Sequence, residues 1–199
     1  MTFVLEKRIP FSEQRFVQRG IAWSQFKSIQ VGFAEAPGVR LFYYQEALEI
    51  LAVSPEHERV KGAIGYLIET YLIERGIEFE PTGNFNQERE REASVQADES
   101  YCLGSLKPIP DLSVEVVMTS GGPDKLKRYR ALGVPEVWFW EDRVFSLYCL
   151  REDGYEPVTR SEQLPGLDMQ LLTRCVIMAS RVEAAREFRR ALGEASGDI

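Results

Sequence analysis

Glu115 stands inside Leu112-Ser113-Val114-Glu115-Val116-Val117-Met118, a run of mostly β-branched apolar residues. Such a run predicts a strand with both faces largely covered. A carboxylate buried there without a partner costs of order several kcal/mol, so it needs a cation, a metal or a shifted pKa. A structural ion pair, or an edge position facing solvent, is the alternative reading. Asp98 ends the preceding predicted strand, at 95–98. If the two strands pair antiparallel around the connection at 101–111, Asp98 and Glu115 become neighbours. Two adjacent carboxylates stay ionised together only with a hard cation between them, and Mg²⁺ takes one or two carboxylates plus water and phosphate oxygens. A lysine beside them would complete a site for phosphodiester hydrolysis.

The rest of the composition narrows the chemistry. His57 is the single histidine, so histidine-rich metal sites are excluded. Cys102, Cys149 and Cys175 form no CxxC pair, and their odd number and wide spacing predict reduced thiols in a cytoplasm. Neither a Walker A sequence nor GxGxxG is present. No apolar run approaches the ~18 residues of a membrane span, and the first residues lack a signal-peptide pattern. Apolar residues make up 44 % of the chain and charged residues 28 %, as in an ordinary globular protein. The formal charge of −7 repels a phosphate backbone, so DNA binding would need local basic surface. Arg89 with Arg91, the 125–130 stretch and the 186–190 stretch are the available patches, each short or interleaved with acids.

These residues need elements to hold them. Ser24 is the expected N-cap of a helix from Gln25 to about Glu35, and 39–44 with 47–53 reads as a hairpin turning at Gln45-Glu46. Ser54-Pro55-Glu56 starts a long helix with apolar residues from Val60 to Leu72 at helical spacing, ending at Gly76. Strands are expected at 77–80, 85–92 and 95–98, before the one carrying Glu115. Ser120-Gly121-Gly122-Pro123-Asp124 then opens a helix from about Lys125 to Leu132, closed by Gly133. The Gly pair could cradle a phosphate, but a plain loop is the simpler reading. Strands at 136–140 and 144–150 follow, then one helix from about Met169 to Leu192. The order predicts an α/β fold bordering on α+β, a mixed sheet flanked by helices. The expected division is an N-terminal helix and hairpin extension (1–54), a core (55–160) and a C-terminal helix with a polar tail (161–199).

Pro110-Asp111-Leu112-Ser113-Val114-Glu115-Val116, followed by the stretch from Lys125 through Tyr129 to Gly133-Val134-Pro135-Glu136-Val137-Trp138, resembles the signature of the Uma-two family. These are restriction-endonuclease-like proteins of the PD-(D/E)XK nuclease superfamily. Ala97-Asp98-Glu99-Ser100-Tyr101 and Ser54-Pro55-Glu56-His57 also match, and the resemblance spans about 12–160. It implies a restriction-endonuclease-like core with acids on a central hairpin, Asp98 as the first metal-binding acid and Glu115 as the second. Ala97 replaces the expected proline, and Val117 stands where a lysine is expected; Lys125 resembles a migrated lysine.

The resulting expectation is a Mg²⁺- (or Mn²⁺-) dependent endonuclease acting on DNA, cytoplasmic and homodimeric. A catalytically decayed binding or oligomerisation protein and an unrelated phosphate-ester hydrolase are the rivals. Asp111 reads as a turn residue before a third acid. His57, Glu58 and Glu69 read as a solvated helix face, although the resemblance keeps Glu56, Glu58 and Glu69 in view as helix acids near a metal. Tyr129, Trp138 and Trp140 read as core or interface aromatics.

Overall fold

The computed structural model describes residues 13–83, 85–118 and 125–196. The glycine-rich segment before Lys125, its phosphate-cradle reading and the Pro123-Asp124 helix start lie outside them.

Two sheets form. The first contains β1 (Gln14–Arg19), β2 (Val39–Tyr44), β3 (Ala47–Ala52), β5 (Asn86–Arg89) and β6 (Ala93–Gln96), ordered β1-β3-β2-β6-β5 and antiparallel throughout. The second contains β4 (Phe79–Pro81), β7 (Glu99–Leu103), β8 (Leu112–Val117), β9 (Glu136–Glu141), β10 (Val144–Arg151) and β11 (Gly154–Val158). Its order is β11-β10-β9-β8-β7-β4, with β8 and β9 parallel and every other pair antiparallel. The expected mixed α/β architecture is present.

Five helices complete the described residues: α1 (Trp23–Gly32), α2 (Pro55–Glu74), α3 (Leu126–Leu132), α4 (Met169–Val176) and α5 (Arg181–Ser196). Alternation along β8 decides which layer each residue joins. Leu112, Val114 and Val116 pack with Ile64, Leu67, Ile68 and Leu72 of α2 and with Leu172 of α4 and Phe188 of α5. Val117 joins the opposite layer, where Phe42, Val95, Tyr129 and Phe139 meet between the sheets. Glu115 has the same parity as Val117, which delivers its carboxylate into that inter-sheet layer. Helix α1 covers the outer side of the first sheet through Phe26 against Tyr43.

Several expected elements shift for local reasons. Helix α1 starts two residues early: Ala22, not Ser24, is the N-cap, and Gln25 Oε1 accepts from Ala22 N at 2.8 Å. The strand expected at 95–98 is β6, which pairs with β5 and β2; the antiparallel partner of β8 is instead a separate strand, β7. β6 belongs to the first sheet and β7 to the second, with Ala97-Asp98 at the crossing. The single C-terminal helix starts at Met169 as expected, capped by Asp168, but breaks at 177–180, where Ser180 Oγ accepts from Glu183 N to begin α5. β1 and β11, edge strands with weak alternation, were not expected. The Gln45-Glu46 and Asp142-Arg143 turns have paired positive φ angles, suited to two-residue hairpin loops.

Candidate functional site

The β7–β8 register sets the acids face to face. Glu99 pairs with Val114, so Asp98, one residue before β7, falls opposite Glu115. Asp98 Oδ2 accepts from Val116 N at 2.8 Å, which pins its carboxylate beside that of Glu115. Lys125 N-caps α3 and donates from Nζ to Glu115 Oε2 at 2.6 Å. The three residues named from the sequence therefore meet, and all three are buried. A lysine at a helix start opposes the dipole; here the facing carboxylate offsets that.

His57 belongs to the same cluster, contrary to its reading as a solvated position. It is fully buried, with Nε2 bonded to Asp98 Oδ1 at 2.8 Å and Nδ1 to Glu13 Oε1 at 2.9 Å. Its place near the start of α2, an ordinary amphipathic helix, gave no warning; the signal was a histidine in the Ser54-Pro55-Glu56-His57 motif. Burial lowers the ring's pKa, but hydrogen bonds and charge from Asp98 and Glu13 outweigh it and raise it to about 9. The imidazolium then donates from both nitrogens.

Tyr129 is a core aromatic, as expected, yet its hydroxyl donates to Glu115 Oε1. The N-terminal hairpin supplies another wall. Arg40 Nε lies 3.9 Å from Asp98 Oδ1 while its terminal nitrogen donates to Glu58 at 3.0 Å. Lys125 Nζ sits 4.9 Å from the Phe42 ring centroid, and Glu49 pairs with Arg15 at 2.9 Å and Arg128 at 2.5 Å.

These charges set one another's protonation. Burial pushes the Asp98 carboxyl up, but the His57 hydrogen bond and charge, with Lys125, hold it below the usual range. Burial pushes Glu115 up against the pull of Lys125, and Asp98 adds to the rise. Burial would lower Lys125, but Glu115 and Asp98 keep it raised and charged.

The remaining candidates stand apart. Asp111 accepts from Leu103 N at 2.7 Å and pairs with Lys107, so it is a turn residue. Glu56 holds exposed Arg59, and Glu58 reaches the site only through Arg40. Glu69 is half-buried on α2, and burial raises its pKa. Buried acids elsewhere have other uses: Glu136 accepts from Glu162 N at 2.8 Å and Gln163 N at 3.0 Å, anchoring a turn.

Among the described residues, no group of three or more His, Cys, Asp or Glu converges as a metal cage. Asp98 and Glu115 offer the alternative: two hard oxygen donors, suited to a cation that keeps most of its water. Each carboxylate has about four lone-pair positions, so the present bonds leave acceptor capacity on both. The donor set fits Mg²⁺ or Mn²⁺.

Acids that face each other at the start of the β7–β8 pair of a mixed α/β sheet, with Lys125 reaching Glu115 from the start of the next helix, suit a restriction-endonuclease-like protein. The sequence model of the Uma2 family, described as "Putative restriction endonuclease", matches residues 23–177, and the chain belongs to that family. No curated protein matches the chain. Among the described residues no helix is long and apolar enough to cross a membrane.

Proposed function

We propose that the protein is a Mg²⁺- or Mn²⁺-dependent endonuclease that hydrolyses DNA phosphodiester bonds. The observation that supports this reading is the convergence of Asp98, Glu115 and Lys125, with Lys125 Nζ 2.6 Å from Glu115. Asp98 and Glu115 would hold the ion, which supplies an activated water and neutralises charge on the phosphoryl oxygens. Lys125 is placed to stabilise the negative charge that develops at the attacked phosphorus. Tyr129 orients Glu115, and His57, held by Glu13, orients Asp98. His57, held between Glu13 and Asp98, acts as a positioning residue. Water activated by that ion would be the attacking group, with no covalent intermediate.

We also read the protein as a cytoplasmic homodimer, two-fold symmetric dimers being the commonest assembly. We read 55–160 as the nuclease core, since Asp98, Glu115 and Lys125 all fall in it, with the N-terminal helix and hairpin and the C-terminal helices as its extensions. Val117 in place of the expected lysine favours the second reading, a decayed nuclease fold used for binding.

Incubation of plasmid DNA, supercoiled and heat-denatured, and of a generic phosphate monoester, with and without Mg²⁺ or Mn²⁺, tests the proposal. Metal-dependent cutting of the DNA in either form supports it. Monoester turnover alone points to a phosphate-ester hydrolase, and metal binding without either reaction points to decay.

A further inference from the structure

A cavity of about 920 Å³ opens between the α1–β2 connection and the β5–β6 ribbon, lined by Gln30, Phe33, Arg40, Glu58, Asn86 and Gln96 among others. Its size is that of a small-molecule site. Arg40 ties it to the acid pair: the same guanidinium that lines the cavity approaches Asp98 Oδ1 at 3.9 Å. The wall also holds unmet hydrogen-bonding capacity. Arg40 Nε and Asn86 Oδ1 are buried with no hydrogen-bond partner. At the rim, the Phe33 ring is 37 % exposed.

Gln30 is held by Lys27 and Glu88, and Gln96 Oε1 by Leu41 N, so the Asn86 amide and the Arg40 guanidinium are the wall groups left to pair with a nucleobase edge, and an exposed aromatic is a stacking platform. A duplex keeps its bases stacked inside, so only an unpaired nucleotide enters such a cavity. Charge points the same way. The chain carries −7, and several of its surface arginines are paired internally: Arg89 with Glu92, Arg151 with Glu162, Arg186 with Glu183. Affinity must then draw on base contacts more than on phosphate neutralisation.

We infer that this cavity receives an unstacked nucleobase next to the cleaved phosphate, and that the substrate is single-stranded DNA. The inference rests on the nuclease reading and names its substrate.

Fluorescence anisotropy in Ca²⁺, with a labelled single strand and the blunt duplex of the same sequence, tests it, with Mg²⁺-dependent cleavage followed in parallel. The single strand binds at least about tenfold more tightly than the duplex, and Phe33→Ala and Asn86→Leu each reduce that preference by about tenfold. Phe33 is at the surface, so its variant folds whatever Asn86→Leu does. Cleavage with equal binding of both forms, or a preference unmoved by Phe33→Ala, overturns the inference and leaves the nuclease reading standing. Neither binding nor cleavage of any DNA overturns both.

Discussion

Lys125 Nζ and Glu115 Oε2 are 2.6 Å apart, with both side chains almost wholly out of solvent. Each is the other's main compensation for burial. Glu115→Gln therefore strands the ammonium and should cost ~3–5 kcal/mol in a denaturation curve. Adding Lys125→Met should recover most of that stability without recovering cleavage. A single Glu115→Gln variant as stable as wild type would show that Asp98 alone holds Lys125.

The neighbouring lysines separate by burial. Lys125 faces the acids, whereas Lys127 on the next turn-step is exposed. Lys125→Ala should abolish Mg²⁺-dependent DNA cleavage. Lys127→Ala should at most weaken binding, and the loss should shrink as salt rises. Plasmid nicking at two ionic strengths compares the pair.

His57 stands between two carboxylates that are themselves 4 % exposed. His57→Ala leaves Asp98 and Glu13 buried without their shared cation. A loss of ~3 kcal/mol is expected, seen as a fall in Tm of ~6–12 °C for a chain of this size. Glu13→Gln should cost less, because the ring keeps Asp98.

Glu49 gives the molecule an acid-sensitive contact. Burial raises its carboxyl, but Arg15 and Arg128 outweigh that and lower it to about 2. A depressed carboxyl stabilises above its unfolded pKa and loses that contribution as pH falls toward the folded value. The stability gap between wild type and Glu49→Gln should therefore shrink by ~2 kcal/mol between pH 7 and pH 3. Denaturant midpoints at the two pH values measure it.

Much of this was legible in the residues. Ser54-Pro55 capped α2 where expected, with Ser54 Oγ accepting from His57 N at 3.1 Å. A carboxylate among valines located the site. What the sequence hid was long-range. Nothing local says that Ala97-Asp98 crosses between sheets, because β6 and β7 run on with only two residues between them. Nor does α2's apolar spacing reveal that its first turn delivers an imidazole to Asp98, or that Arg40 and Phe42 of a hairpin remote in sequence wall the acids. Periodicity merged α4 and α5, where the Ser180 cap won.

Cleavage of single-stranded circular DNA and of supercoiled plasmid by wild type and Asp98→Asn, side by side in Mg²⁺ and in EDTA, tests the central claim most directly. The account predicts cut product from wild type in Mg²⁺ only, the single strand cut faster than the plasmid, and a rate at least ~10²-fold lower for Asp98→Asn. Equal cleavage by the two proteins, or cleavage that persists in EDTA, would contradict it.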